Sequence, residues 1–348
     1  MLQLKLMIIK LLVVKMMKRI FFITTLIVGM AGVVYFGGEV NQPLTSQSMQ
    51  TVNRTIENRT LSDQILKRFW KLTDIDIDAS SVILIDAETG HVIYQEESNL
   101  VLPAASMSKM MTELLVLEAI KADVLDWDTE ISISDYAYKI SHHPGYASVH
   151  LQQNKSYTVE ALFHAMAIHS ANGATIALAE AVSGSEEFFA QQMNRKADEL
   201  GLNNSSFVNS TGLDNDHLGS FYSVGTVDDT NKMSAQDLAT LARYLINHYP
   251  ILLEITSKPH YLANEIEYLN TNWMLLEQME YGHVDGLKTG YTDLAGYGFT
   301  GTVEQNNIRL ISVVMGTDSA RQRFIETDKL YKLAFDQIRS SQIATHHR

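Results

Sequence analysis

Cysteine is absent from the 348 residues, which excludes a disulfide framework, a zinc–thiolate site and a thiol nucleophile. Covalent chemistry in this chain falls to oxygen or nitrogen. Positive charge is scarce: 27 Lys and Arg stand against 40 Asp and Glu, for a formal net charge of -13, and no basic run occurs outside the N-terminus. Phosphate backbones attract clustered cations, so nucleic acid is not expected as a partner. Internal repeats are also missing. What is present is apolar: 46% hydrophobic and 9% aromatic residues are enough for a sizeable core in one large domain or two small ones.

The N-terminus has its own character. An apolar run from Ile20 to Gly37 follows Lys15, Lys18 and Arg19, a basic region before a hydrophobic one that predicts export. At about 18 residues the run lies between a signal-peptide core and a minimal membrane span. Cleavage near Met30-Ala31-Gly32 and retention as an anchor both stay open. A second apolar stretch, Leu4 to Val14, precedes it, and a start at Met16 or Met17 gives a more ordinary signal. Residues 1–38 are therefore assigned to a signal peptide or N-terminal membrane anchor. Residues 39–76, rich in Asn, Gln, Ser and Thr, form a polar linker that holds the next domain off the membrane.

Beyond the linker, Val82 to Ile85 and Val92 to Tyr94 read as a β-hairpin turned at Asp86-Ala87-Glu88-Thr89-Gly90. Apolar spacing predicts helices over Ser106 to Ile120, Val159 to Ile168, Ala174 to Val182, Glu186 to Leu200 and Ala235 to His248, the last capped by Ser234. Strands follow at Val284 to Thr289, Gly296 to Val303 and Ile308 to Met315, then a helix from about Arg321 to Ile338. A hairpin, a helical middle and three closely connected strands predict an α+β fold. In it an antiparallel sheet joins both ends of the chain and is covered by helices, with a mostly helical subdomain. This domain is placed at residues 77–340, with a tail at 341–348.

The chemistry-bearing residues form three short motifs. Ser106 and Lys109, three apart, share one face if Ser106 opens a helix. Burial among Met110, Met111 and Leu114, together with the helix macrodipole, lowers the lysine pKa and suits it to activate a serine. Alone, the pair reads more readily as a helix cap followed by a surface lysine. Ser170-Ala171-Asn172 falls between two helices, as an inter-helix turn or as polar groups facing a cleft. Lys288-Thr289-Gly290 closes a strand, as a charged strand end or as a cationic binding edge.

Together, in the order Ser-x-x-Lys, Ser-x-Asn, Lys-Thr-Gly, the motifs resemble those of penicillin-binding proteins and class A β-lactamases. The chain is similar to the low-molecular-mass penicillin-binding proteins of the serine D-Ala-D-Ala carboxypeptidase family over roughly Ser80 to Ile338. The wider segments Pro103 to Thr112, Val284 to Gly290, Ala295 to Tyr297 and Ser312 to Gly316 share its pattern. The resemblance implies that the domain is catalytic, with the β-lactamase/penicillin-binding transpeptidase-like fold. It implies that Ser106 attacks the bond between the last two residues of a peptidoglycan stem peptide ending in D-Ala-D-Ala, releasing D-alanine and leaving an acyl-enzyme. Lys109 is then the general base, Ser170 relays a proton to the leaving amine, and Asn172 binds the substrate backbone. Lys288 and Thr289, with Gly290, bind the terminal carboxylate, and the N–H groups of Ser106 and Tyr291 form an oxyanion hole. β-Lactam antibiotics are implied as covalent inhibitors; no metal and no cofactor is implied. The site of action is extracytoplasmic, at the outer face of the cytoplasmic membrane or in the cell wall.

Some features depart from that pattern. Tyr291 stands where many relatives have histidine, and the second domain and C-terminal amphipathic anchor of many members are not expected here, so that Ile20 to Gly37, if uncleaved, is the expected membrane contact. D,D-endopeptidase or transpeptidase activity, and a non-catalytic penicillin-binding sensor, use the same motifs. A β-lactamase needs a dedicated glutamate that the sequence does not single out. His142, His143 and His150 superficially resemble part of a zinc D,D-peptidase motif but lack its carboxylate, and are expected in a surface loop, with Tyr146 lining the cleft. Asn-x-Ser/Thr triplets at Asn53, Asn58 and Asn209 match glycosylation acceptors only in form.

Overall fold

The computed structural model describes residues 75–263, 265–276 and 284–346. The apolar run Ile20 to Gly37, the linker up to residue 74 and His347-Arg348 lie outside the described residues. Among those described, no helix is long and apolar enough to cross a membrane.

A five-stranded antiparallel sheet brings both ends of the domain together in the order β2-β1-β11-β10-β9. Its strands are β1 (Ser81–Asp86), β2 (Val92–Glu96), β9 (Val284–Thr292), β10 (Gly296–Gln305) and β11 (Ile308–Thr317). The predicted hairpin forms as expected: Asp86 accepts at Oδ1 from the N–H and hydroxyl of Thr89 and closes the turn between β1 and β2. Shorter ladders pair β3 (Leu102–Pro103) with β6 (Lys232–Met233), β4 (Glu130–Ser132) with β5 (Ser156–Thr158), and β7 (His260–Ala263) with β8 (Ile266–Leu269).

Side chains alternate across a strand, and β1 uses both faces. Ile83 and Ile85 enter a large core shared with the helices, while Val82 and Leu84 enter a smaller one on the other side. The large core is built by α1 (Lys109–Lys121), α2 (Asp135–Ser141), α3 (Val159–His169), α4 (Asn172–Ser183), α5 (Glu186–Leu200), α7 (Ala235–His248) and α8 (Ile251–Thr256). A one-turn helix, α6 (Asn215–Leu218), belongs to the loop before β6. The smaller core is closed by α9 (Gln322–His346), whose Phe324, Leu330, Tyr331 and Phe335 pack against Phe299 and Leu310. α9 runs past the expected end at Ile338. Ser234 caps α7 as predicted, accepting from the Asp237 N–H at 3.1 Å.

The helix expected over Ser106 to Ile120 is divided. Ala105–Ser108 is a 3₁₀ turn, and the α-helix begins only at Lys109. Ala105 sits at φ +46°, and the Ser108 hydroxyl donates to the Ala105 carbonyl at 2.7 Å, so local bonds hold the tighter turn.

Candidate active site

The 3₁₀ turn has a direct consequence for its side chains. With three residues per turn, positions i and i+3 eclipse, and Ser106 Oγ lies 2.8 Å from Lys109 Nζ. Lys109 is 0% exposed. Its nitrogen also meets Asn172 Oδ1 and the carbonyl of Thr211, each at 2.7 Å. Both of these oxygens can only accept. A neutral lysine amine has two N–H bonds and one lone pair, so with both N–H groups donated to Asn172 and Thr211 the lone pair faces the Ser106 hydroxyl, the one neighbour able to donate to it. Burial first, and then the positive charge of Lys288, push the Lys109 pKa well below its usual value; Glu113 and Glu186 oppose this. The amine needed for proton abstraction is thus favoured by its surroundings.

The Thr211 carbonyl comes from a loop that the motifs do not reveal. Asn209 Oδ1 accepts from the N–H groups of Thr211 and Gly212 at 3.1 and 2.8 Å, an Asx-type turn that orients the segment. Asn209 is buried, so its Asn-Ser-Thr triplet serves the interior of the fold. Asn231, also buried, donates to the Asn209 carbonyl at 2.8 Å and to Ser108 Oγ at 3.0 Å, joining this loop to the serine turn. Gly212 has φ +78°, and a Cβ there would lie 1.9 Å from the Ala105 carbonyl oxygen. Only glycine allows the loop so close to the turn.

Ser170 ends α3 in a left-handed conformation, φ +61°, and Asn172 opens α4. This break places both residues on a cavity of about 390 Å³ that Ser106 also lines. Asn172, expected to contact substrate, already engages Lys109 through its oxygen. Thr289, Gly290 and Tyr291 form the facing wall along β9. At Gly290 a Cβ would meet the Ala104 carbonyl at 2.9 Å and Met107 Cγ at 3.1 Å. The glycine of Lys-Thr-Gly therefore lets β9 lie against the serine turn. Lys288 is buried behind this wall, its Nζ donating to the Thr289 carbonyl at 3.4 Å, and the Thr289 hydroxyl donates to Thr271 Oγ1 at 2.8 Å. The Tyr291 side chain, exposed, stacks on Tyr297 at 4.1 Å and donates to Asp293 at 2.6 Å, so it leans along the strand.

Arg323, which pattern reading did not single out, also lines the cavity. From α9 its Nη1 donates to the Gly290 carbonyl at 3.0 Å, and its guanidinium lies over the Tyr297 ring at 5.5 Å. With Lys288 it makes the β9 end of the cavity positive, suited to a carboxylate. The opposite wall carries Tyr146, as expected, its hydroxyl donating to the His217 carbonyl at 2.8 Å. The His142 and His150 rings lie tilted to each other at 5.0 Å, and His142 Nδ1 contacts the Tyr138 carbonyl at 3.0 Å.

A serine hydrogen-bonded to a buried lysine, a break residue and a cationic strand edge thus meet around one cavity, and a sequence profile of the D-alanyl-D-alanine carboxypeptidase family matches residues 69–319. The chain belongs to this family. It is 34% identical over 271 residues to D-alanyl-D-alanine carboxypeptidase DacF of Bacillus subtilis, covering 77% of this chain and 64% of DacF. The chain therefore spans less than two thirds of that curated relative. Among solved structures, a peptidoglycan synthesis regulatory factor from Streptococcus pneumoniae matches with a TM-score of 0.72 at 38% identity, over 75% of this chain and 74% of that one. A penicillin-binding protein from Listeria monocytogenes, in its cefotaxime-bound form, matches with a TM-score of 0.65 at 32% identity, over 75% of this chain and 99% of that one. The α+β fold of family members is thus the fold of this chain.

Proposed function

We propose that the chain is a serine D-alanyl-D-alanine carboxypeptidase, with residues 77–340 as its catalytic domain, that trims the terminal D-alanine from peptidoglycan stem pentapeptides. The observation that carries this reading is the placement of Lys109 Nζ, 2.8 Å from Ser106 Oγ and held by two acceptors that leave its lone pair to the serine. Ser106 Oγ attacks the penultimate D-alanine carbonyl while its proton passes to Lys109. The tetrahedral oxyanion is received by the N–H groups of Ser106 and Tyr291. As the C–N bond breaks, the proton taken up by Lys109 passes through the Ser170 hydroxyl to the leaving amine, so that D-alanine departs and Lys109 is again a neutral amine. Water, deprotonated by Lys109, then hydrolyses the Ser106 ester. Asn172 holds Lys109 and the substrate backbone, Thr289 and Arg323 on the cavity wall receive the terminal carboxylate, and the charge of Lys288 behind that wall favours its binding.

A β-lactam offers Ser106 a strained amide beside a carboxylate, and the cefotaxime-bound Listeria relative supports acylation by such compounds. The basic-then-apolar N-terminus supports action outside the cytoplasm, at the membrane or in the wall. The deciding measurement is D-alanine release from a D-Ala-D-Ala pentapeptide, with Ser106→Ala as control. Covalent labelling by penicillin without release would favour a sensor, and release only in the presence of an acceptor amine would favour a transpeptidase.

A further inference from the structure

Glu186 takes no part in the steps above, yet it is 5% exposed and bonded to the loop that holds Lys109. It is the first residue of α5, after the cap Ser185. Its Oε1 accepts from the Ser210 N–H at 3.1 Å and from the Ser210 hydroxyl at 2.6 Å, and its Oε2 accepts from the hydroxyl of Tyr136 on α2 at 2.5 Å. Tyr136 is fixed in turn, stacked on Phe221 at 4.9 Å. Burial raises the Glu186 pKa and these hydrogen bonds oppose the rise, so they favour the carboxylate, which can only accept.

Ser210 is thereby held at every polar group, because its carbonyl accepts from Thr112 Oγ1 on α1 at 2.7 Å. Thr112 lies three residues after Lys109, and the residue after Ser210, Thr211, turns its carbonyl to Lys109 Nζ at 2.7 Å. The Asn209 turn shapes this loop from within. Glu186 and Thr112 set where the loop sits between α5 and α1. We propose that Glu186 is a positioning residue for acylation: through Ser210 it fixes the Thr211 carbonyl, and so the direction in which the Lys109 amine faces Ser106. The inference rests on the function proposed above. The negative charge of Glu186 favours a protonated Lys109 and so works against the base; its contribution is the placement of its two acceptor oxygens.

Stopped-flow acylation by a fluorescent penicillin separates the rate constant from the amount of folded enzyme, which sets only the amplitude. In Glu186→Ala the limiting acylation rate constant should fall about 10–100-fold, with the dissociation constant of the noncovalent complex little changed. Glu186→Gln keeps an oxygen for both Ser210 donors and an amide for Tyr136, and should acylate at close to the wild-type rate. An Ala variant with the wild-type rate constant, or a Gln variant as slow as Ala, overturns the proposal. If the Ala variant does not fold, Glu186→Asp takes its place with the same expectation, being one methylene too short to reach Tyr136 and Ser210 together. A wild type that penicillin does not acylate defeats the functional reading alone. Amide hydrogen exchange at Ser210, Thr211 and Gly212 then decides for Glu186: faster exchange in Ala than in Gln supports the role, and equal exchange in the two overturns it.

Discussion

The carbonyl oxygen of Thr211 accepts from Lys109 Nζ at 2.7 Å across 102 positions of sequence. Neither residue reaches the other without Gly212, whose bare Cα lets the Thr211 loop lie against the Ala105 carbonyl of the serine turn. The lysine's direction, and with it the reactivity assigned to Ser106, depends on a loop remote in sequence.

Replacing Lys109 with Met retains an unbranched side chain in the buried space but removes the base. The rate of Ser106 acylation by a fluorescent penicillin should fall about 10²–10⁴-fold, measured by stopped flow, and the thermal midpoint should fall as well because the buried Asn172 and Thr211 oxygens lose their donor. A variant that acylates at the wild-type rate would remove Lys109 from the mechanism.

Lys288→Met tests the electrostatics from the other side. In the proposed mechanism Lys109 acts only when neutral, so acylation should rise with pH through the Lys109 pKa and be lost as pH falls below it. Lys288 lowers that pKa by like-charge repulsion. Its removal should raise the Lys109 pKa and move the acid limb of acylation to higher pH. The pH–rate profile of penicillin acylation reads this directly; an acid limb that stays in place contradicts the coupling.

Gly212→Ala should damage both stability and acylation. A methyl group there would lie 1.9 Å from the Ala105 carbonyl oxygen at a backbone φ of +78°, so loop and serine turn must separate. Denaturant unfolding should show a loss of about 2 kcal/mol or more, and the folded fraction should acylate slowly because the Thr211 acceptor is displaced. Wild-type stability would mean that the contact relaxes without consequence.

Much of the fold was legible in local pattern. A continuous apolar run of mostly β-branched residues announced β1, and apolar spacing announced α5 and, with the Ser234 cap, α7, because these patterns are written in adjacent positions. The divided helix at Ser106 was not legible. A left-handed Ala105 and a Ser108 hydroxyl turned back onto it are choices that residue identity permits without requiring. The Asn209-Ser210-Thr211-Gly212 run did carry a signal, the Asx-turn chemistry of Asn followed by Gly, but its target was unknowable from spacing.

By itself, the sequence determined the chemistry available: no thiol, three short motifs in one order, and a serine three residues from a lysine. Tertiary structure decided how that chemistry is arranged. It buried Lys109 and Lys288, and it brought Arg323 from the last helix to the Gly290 carbonyl. The reason is physical. Hydrogen-bond direction and buried charge depend on what surrounds a group in three dimensions, and those surroundings come from α4, β9, α9 and the Thr211 loop, segments that meet only when the two hydrophobic cores close around the sheet.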